Sequence, residues 1–485
     1  MTSIDQDSAI TQDWSWKISL LLAAVAVTLD VLILQSPVVW LGIAGAVALL
    51  AQFRSPISGL AVVVFTCGLA NYSPFKAGTL SRLYPGNVAI AIFIIAWLAR
   101  TKPWSAKSLF PPVAIRAPLM GLAVLTPISM LWSRLFPDHE VVYSFPHSDV
   151  SWAMVQASQF ALLAVTICVP FAVLAGIKRW KDIENLVLMI GVVVAAGTVV
   201  TVAALKFGFG SDYEILGATR GYWEQPWDSS IEPLSALALP FLYAGVLFGR
   251  RSLSHYWLFC LLLPFCLLGA VLAFSRATWL MAFSGVLLVS ASWLRSRVTP
   301  TYAIVISVIV SGIVAISGLV GFVSHFYNPN EVYGLERIYY YISALHLFAS
   351  HPLLGVGAGN YQFFDRSYEG EQAGGIAHNQ FLTAAAETGI VGLALLLWLV
   401  VAFHRIHRQL GVEGNRRNPH DWLRAAGSAF LPIWVMECLF QEAFFPTAAA
   451  GGGTHVMTEI TFPWIFLGIL LAACGLNQTA APADS

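Results

Sequence analysis

From about residue 18 to residue 476 the chain alternates long apolar runs with short polar breaks. Most runs are about 17–25 residues, the length of helix that crosses a hydrocarbon core. No run shows the two-residue alternation of a membrane barrel, and lipid leaves backbone groups no partner but one another, so the runs are read as helices. About fourteen spans (12–14) follow. They fall near 18–35, 38–53, 57–72, 86–100, 117–134, 152–176, 184–206, 232–249, 256–274, 277–294, 302–323, 383–403, 426–447 and 459–476. The expectation is an all-α polytopic integral membrane protein in which residues 1–485 form a single membrane domain. Two stretches between spans stand out by length, 207–231 and 324–382. The second is expected to carry a helix near 331–350, where apolar residues from Ile338 to Phe348 recur at roughly helical spacing.

Composition agrees with the pattern. Hydrophobic residues make up 58% of the chain and charged residues 11%, against about 25% charged in soluble domains, and the mean hydropathy is +0.72. The polar, acidic start "MTSIDQDSAITQDWSW" does not read as a cleavable signal peptide. Cys67, Cys168, Cys260, Cys266, Cys438 and Cys474 all sit in apolar runs without metal-type spacing, and read as small core residues. The formal net charge is zero, which gives no sign of a nucleic-acid partner. Attraction for any anion must come from where the charges lie.

Their distribution sets the orientation. With a cytoplasmic N-terminus, most of the 26 Lys and Arg residues gather on the inside, in "RTKPWSAK", "KRWK", Arg250–Arg251, "RSR", "HRIHR" and Arg416–Arg417. Both termini are then cytoplasmic, and 324–382 becomes a long, partly helical periplasmic loop. The cations left outside are Lys76, Arg82, Arg134, Lys206, Arg220, Arg276, Arg337 and Arg366.

Three of these and one histidine carry candidate chemistry. Arg276, in "AFSRATWL", has almost no loop around it and is pinned at the outer surface. It reads either as a snorkelling arginine or as a fixed cation whose planar fork binds phosphate. Arg337 follows Glu336 and precedes three tyrosines, so a surface ion pair is its other reading. Arg220, in "ATRGYWEQPW", is equally well an ordinary loop residue. His378 opens "HNQFLTAAAETGIVGLALLL" at the mouth of a span. It is a cap, or a general base with an unperturbed pKa of about 6.5. Glu387 lies nine residues on, which at 100° per residue puts it on the opposite helix face and roughly 13 Å deeper. It is therefore expected to be a buried structural hydrogen-bond group sharing a face with Gln380 and Thr383.

Other polar groups are weaker signals. Asp30, Glu437, Gln441 and Glu442 fall inside expected spans, and helix 426–447 is expected to line a cavity. The glycines of "HPLLGVGAGN" form either a phosphate nest or a plain turn, the turn being preferred. The "DQD" at 5–7 is on the cytoplasmic tail, and His139 and His147 lack ligand spacing. No P-loop, GxSxG or HExxH occurs, so neither ATP hydrolysis nor ordinary hydrolase chemistry is supported, and no metal site or cofactor is expected.

The order "FSRATW", then "ERIYYYISALHLFASHPLLGVGAGNYQ", then "AHNQFLTAAAETGIVGLALLL" resembles the bacterial O-antigen ligase / Wzy-type polymerase superfamily of polytopic glycosyltransferases. The specific likeness covers 275–394, and the rest of the chain matches in hydropathy only. The resemblance implies transfer on the outer face of the inner membrane from a glycan carried on undecaprenyl diphosphate. The acceptor would be another glycan or lipid A–core, the lipid bilayer holds both substrates, and other polysaccharide-assembly membrane proteins are implied partners. It implies no cofactor, no metal and inversion at the transferred sugar. Arg276 and Arg337 match the family's diphosphate-binding arginines and His378 its essential histidine. Arg220 and Asn379 are further candidates for holding the diphosphate or glycan. A protein O-oligosaccharyltransferase of the same superfamily is the nearer alternative. A polysaccharide or lipid-linked sugar transporter or flippase is the more distant one. It would call for interrupted helices paired in two related halves, which the sequence does not show.

Overall fold

The computed structural model of the chain describes residues 37–69, 85–101, 105–138, 151–207, 211–215, 218–222, 231–273, 276–295, 333–364, 377–411, 420–445 and 455–480. The expected spans 18–35 and 302–323 lie outside the described residues. So do Asp30, Lys76, Arg82, His139, His147 and Arg366.

Each expected span within the described residues meets a helix. In chain order these are α1 Pro37–Arg54, α2 Pro56–Leu69, α3 Pro85–Arg100, α4 Arg116–Leu135, α5 Trp152–Gly176 and α6 Trp180–Phe207. They continue with α7 Ile231–Phe248, α8 Tyr256–Leu272 and α9 Arg276–Arg295. The loop helix α10 is Tyr333–Ser350, and α11 Gln380–Gly411, α12 Asp421–Glu437 and α13 His455–Ala480 complete the set. The first three begin on proline, whose missing N–H would have had no helical partner in the first turn. Ser151 caps α5, its hydroxyl accepting from the amide of Met154 at 3.3 Å. Between α6 and α7 the chain departs from all-α. Strands β1 Ser211–Ile215 and β2 Ala218–Tyr222 pair antiparallel, with Ser211 opposite Tyr222. Two five-residue strands closed by so short a link satisfy each other's backbone without needing a helix.

Six of the helices are long and apolar enough to cross a membrane by length and composition, in α4, α5, α6, α9, α11 and α13. Apolar side chains also face outward, including Phe53 at 79%, Ile95 at 64% and Trp257 at 63% exposure. A surface so apolar belongs against lipid. Prolines inside α4, α5, α7, α8, α12 and α13 fit the same setting, where neighbouring helices re-satisfy freed carbonyls.

The centre is aromatic. Trp434 of α12 meets Trp464 of α13 edge-on at 5.0 Å and stacks on Phe403 of α11 at 5.1 Å. Phe241 of α7 stacks on Phe466 at 4.4 Å. Gly285 lets α9 approach Pro240 and Ile433 closely, tying α9 to α7 and α12.

Contacts near helix ends give the bundle its two sides. At one end Trp180 stacks on His420 at 3.5 Å, and Phe259 meets Trp422 at 5.6 Å. There Glu184 accepts from the amide and hydroxyl of Ser254 and from the amide of His255. The starts of α6, α8 and α12 therefore share that end. Arg276 follows the far end of α8, and Cys438 follows the far end of α12, so both belong to the opposite end. The start of α11 is there as well, because the Gln380 amide donates to the Cys438 carbonyl at 2.9 Å.

Candidate active site

The site end is built on an interrupted helix. α11 breaks at Gly389, where φ is 66° and ψ −162°, a conformation open essentially to glycine alone. An added Cβ would sit 2.3 Å from the Leu353 carbonyl oxygen. The outer half, residues 380–388, carries His378 and Asn379 at its head. The inner half, 390–411, spans roughly 33 Å at 1.5 Å rise per residue, enough to cross the membrane.

The turn 351–361 fills the break. Val356 and Gly357 donate their amides to the carbonyls of Ala386 and Glu387, each at 2.9 Å, and the Ile390 amide donates to Pro352 at 2.8 Å. The Ser129 hydroxyl of α4 lies 3.0 Å from the Glu387 carbonyl and accepts from the Ala358 amide at 3.2 Å. Glu387 is buried, and its carboxylate accepts the Tyr361 amide at 3.2 Å. Gly355, Gly357 and Gly359 all have positive φ, which lets the chain curl this tightly. With these amides bonded inside the protein, the turn acts as a brace and not as a phosphate cradle. Asn360 extends the brace. It accepts from Trp152 Nε1 at 2.9 Å and Gln156 Nε2 at 2.7 Å, and donates to Ser133 Oγ at 3.0 Å. Beyond it His351 Nε2 meets Asp138 Oδ2 at 2.8 Å.

Above the break lies His378. It is half-buried with φ of 50°, the one non-glycine in the left-handed region among the described residues. Holding such a residue costs of order 1–3 kcal/mol, so its surroundings must over-determine it. Its ring lies 5.9 Å from that of Tyr340 on α10. The Asn379 side chain caps the outer half-helix, accepting the amides of Phe381 and Leu382 at 3.0 and 3.1 Å and donating to the Leu439 carbonyl at 3.2 Å. Gln380 Oε1 accepts the amides of Phe444 and Phe445, both at 3.0 Å. The buried Glu442 takes the Thr383 hydroxyl at 2.8 Å.

These bonds explain why one span stops well short of its expected end. The run 426–447 is helical only to Glu437. From Cys438 its backbone is drawn into contacts with α11, while the Trp434 and Trp464 indoles donate to the carbonyls of Ala443 and Phe444 at 3.0 and 2.7 Å. Gln441 and Glu442 thus lie on a clamp over the start of α11, not on a helix lining a cavity. Hydropathy could not reveal this, since "CLFQEAFF" stays apolar. Pro446 and the glycines at 451–453 were the available signal.

For Arg276, Arg337 and Arg220 the structure describes backbone position alone. Arg276 is the first residue of α9, at the same end of the bundle as His378. Arg337 lies on α10 one turn before Tyr340, and positions 337, 340 and 344 share a helix face. Arg220 is on β2, paired with Tyr213. Among the described residues no cluster of His, Cys, Asp and Glu is arranged to hold a metal.

Residues 261–397 match the sequence family described as O-antigen ligase. The matched stretch holds Arg276, Arg337, His378, Asn379 and Glu387, and excludes Arg220. No curated protein matches the chain.

Proposed function

From the match of residues 261–397 to the O-antigen ligase family, we propose that the chain is a glycosyltransferase of the bacterial inner membrane. It transfers or polymerises glycan carried on undecaprenyl diphosphate, on the periplasmic face, without metal or cofactor. About fourteen spans with both termini cytoplasmic complete this topology. The observation that carries the reading is His378, held in a strained conformer beside Tyr340 at the bundle end where α9 begins with Arg276.

In this reaction an acceptor hydroxyl attacks the anomeric carbon while the bond from that carbon to the phosphate oxygen breaks. The hydroxyl proton passes to His378, and undecaprenyl diphosphate leaves with its added negative charge. Arg276 and Arg337 stabilise that charge, because bidentate guanidinium contacts need no proton transfer to act. Charge-assisted hydrogen bonds contribute about 1.5–3 kcal/mol each. The two arginines favour reaction to the extent that they bind the developing charge more strongly than the ground state. A base at His378 contributes about 10²–10⁴ in rate. Asn379, capping α11, serves to fix His378. Arg220 is the more peripheral candidate for contacting diphosphate or glycan.

The test uses a deletion strain complemented with wild type or His378→Ala, with surface polysaccharide run on gels and lipid-linked intermediates analysed. Long glycan accumulating on the carrier lipid, with none on lipid A–core, identifies a ligase. Single repeats on the lipid identify a polymerase. Full rescue by His378→Ala refutes the mechanism.

A further inference from the structure

His378 acts only if its imidazole stays where acceptor and donor meet, and a buried carboxyl 64 positions on in the chain, outside the family match, bonds to the same helix start. We infer that Glu442 is the positioning residue for His378, its buried carboxylate fixing the left-handed turn from which the imidazole projects. The inference rests on the role proposed above for His378.

The geometry argues for a carboxylate here. Thr383, one turn into α11, donates to Glu442 Oε1 at 2.8 Å. Just before it, the Gln380 amide and the Asn379 side chain donate to the carbonyls of Cys438 and Leu439 in the segment that carries Glu442, at 2.9 and 3.2 Å. A buried hydroxyl proton calls for an acceptor oxygen, and the carboxylate supplies it. The backbone beside the carboxylate is held on both sides of the stretch of chain that carries it. The neighbouring Phe444 and Phe445 amides are held by Gln380 Oε1, and the flanking Ala443 and Phe444 carbonyls by the indoles of Trp434 and Trp464. Glu442 thus transmits the rigidity of the aromatic centre to a residue whose own backbone preference is against its conformation. The effect runs through the backbone.

The test is a double-variant cycle on the full-length protein in lipid nanodiscs. The donor is the lipid-linked glycan extracted from the deletion strain, and each variant's thermal midpoint is recorded. Glu442→Ala should lower kcat ~10²-fold, the low end of a base's contribution, with KM for the donor changed less than about twofold because the diphosphate contacts are untouched. Glu442→Gln keeps one acceptor oxygen and should recover most of the lost rate; being isosteric, it also carries the test if the alanine variant does not accumulate, in which case it should still be slower than wild type. In a His378→Ala background, adding Glu442→Ala should cost nothing more. A wild-type kcat in both Glu442 variants overturns the inference, as does an equal slowing with and without His378. If His378→Ala transfers normally, the role of His378 and this inference fall together. Loss in His378→Ala with no effect from Glu442 overturns this inference alone.

Discussion

Replacing Gly389 by alanine should do more damage than any other single methyl group added to α11. Its φ of 66° and ψ of −162° cost an alanine about 1–3 kcal/mol before any contact is considered. The new Cβ would lie 2.3 Å from the Leu353 carbonyl oxygen, 2.4 Å from its carbon and 2.7 Å from the Leu354 nitrogen. All three are backbone atoms, so relief requires the turn to move. Moving it strains three bonds, Ile390 to Pro352, Val356 to Ala386 and Gly357 to Glu387, at about 1 kcal/mol each. The sum, roughly 4–6 kcal/mol, is comparable with the entire stability of many proteins, about 5–15 kcal/mol. Purified protein in one detergent would show a much lower thermal midpoint and reduced transfer per folded molecule. Gly475, around which nothing lies within 4 Å of a built Cβ, supplies the control, and its alanine variant should match wild type. A Gly389→Ala protein with wild-type midpoint and turnover would refute the interrupted-helix reasoning.

Other outcomes follow from the same geometry. Arg276→Ala and Arg337→Ala should each reduce transfer to near background while the protein still inserts and accumulates, as checked by membrane fractionation and by lipid-linked glycan analysis. Ser129→Ala should lower stability by about 1–3 kcal/mol, because the Ala358 amide and the Glu387 carbonyl lose a buried partner; denaturation in mild detergent measures it. At the opposite end, burial against Trp180 lowers the pKa of His420 below its ordinary value. A folded pKa depressed in this way gives stability that is present above the unfolded value of about 6.5 and lost as pH falls through the folded value. The thermal midpoint should therefore drop on acidification below about pH 6.5, and less so in His420→Gln.

The spans were legible because a helix in lipid must be long, apolar and internally bonded, and length and hydropathy are both written in the sequence. His378 and Glu387 could be picked out for the same reason, as polar groups at or inside apolar runs. What hydropathy does not encode is where a helix stops for reasons other than polarity. "TGIVGLALLL" reads straight through Gly389, yet the carbonyl of Leu353 approaches there. "WVMECLFQEAFF" reads as continuous helix, yet Gln380 and two indoles take up its backbone after Glu437. Both breaks depend on residues far away along the chain. A single hydropathy profile carries no record of such pairs, so Glu442 was legible as an intramembrane acid but not as a neighbour of His378.

The brace at Gly389 also constrains the order in which the chain can be made. Synthesis runs from the N-terminus, so Ser129 is in place 225 residues before the Leu354 carbonyl that it approaches. The turn at 352–361 emerges next, with the amides of Val356 and Gly357 still waiting for the carbonyls of Ala386 and Glu387. Those arrive only with α11, and the clamp that holds the start of α11 follows more than fifty residues later, since Cys438 comes 58 positions after Gln380. These bonds therefore cannot all form as each helix is made in turn. The set of bonds at this end can be complete only once residues 438–445 have been translated.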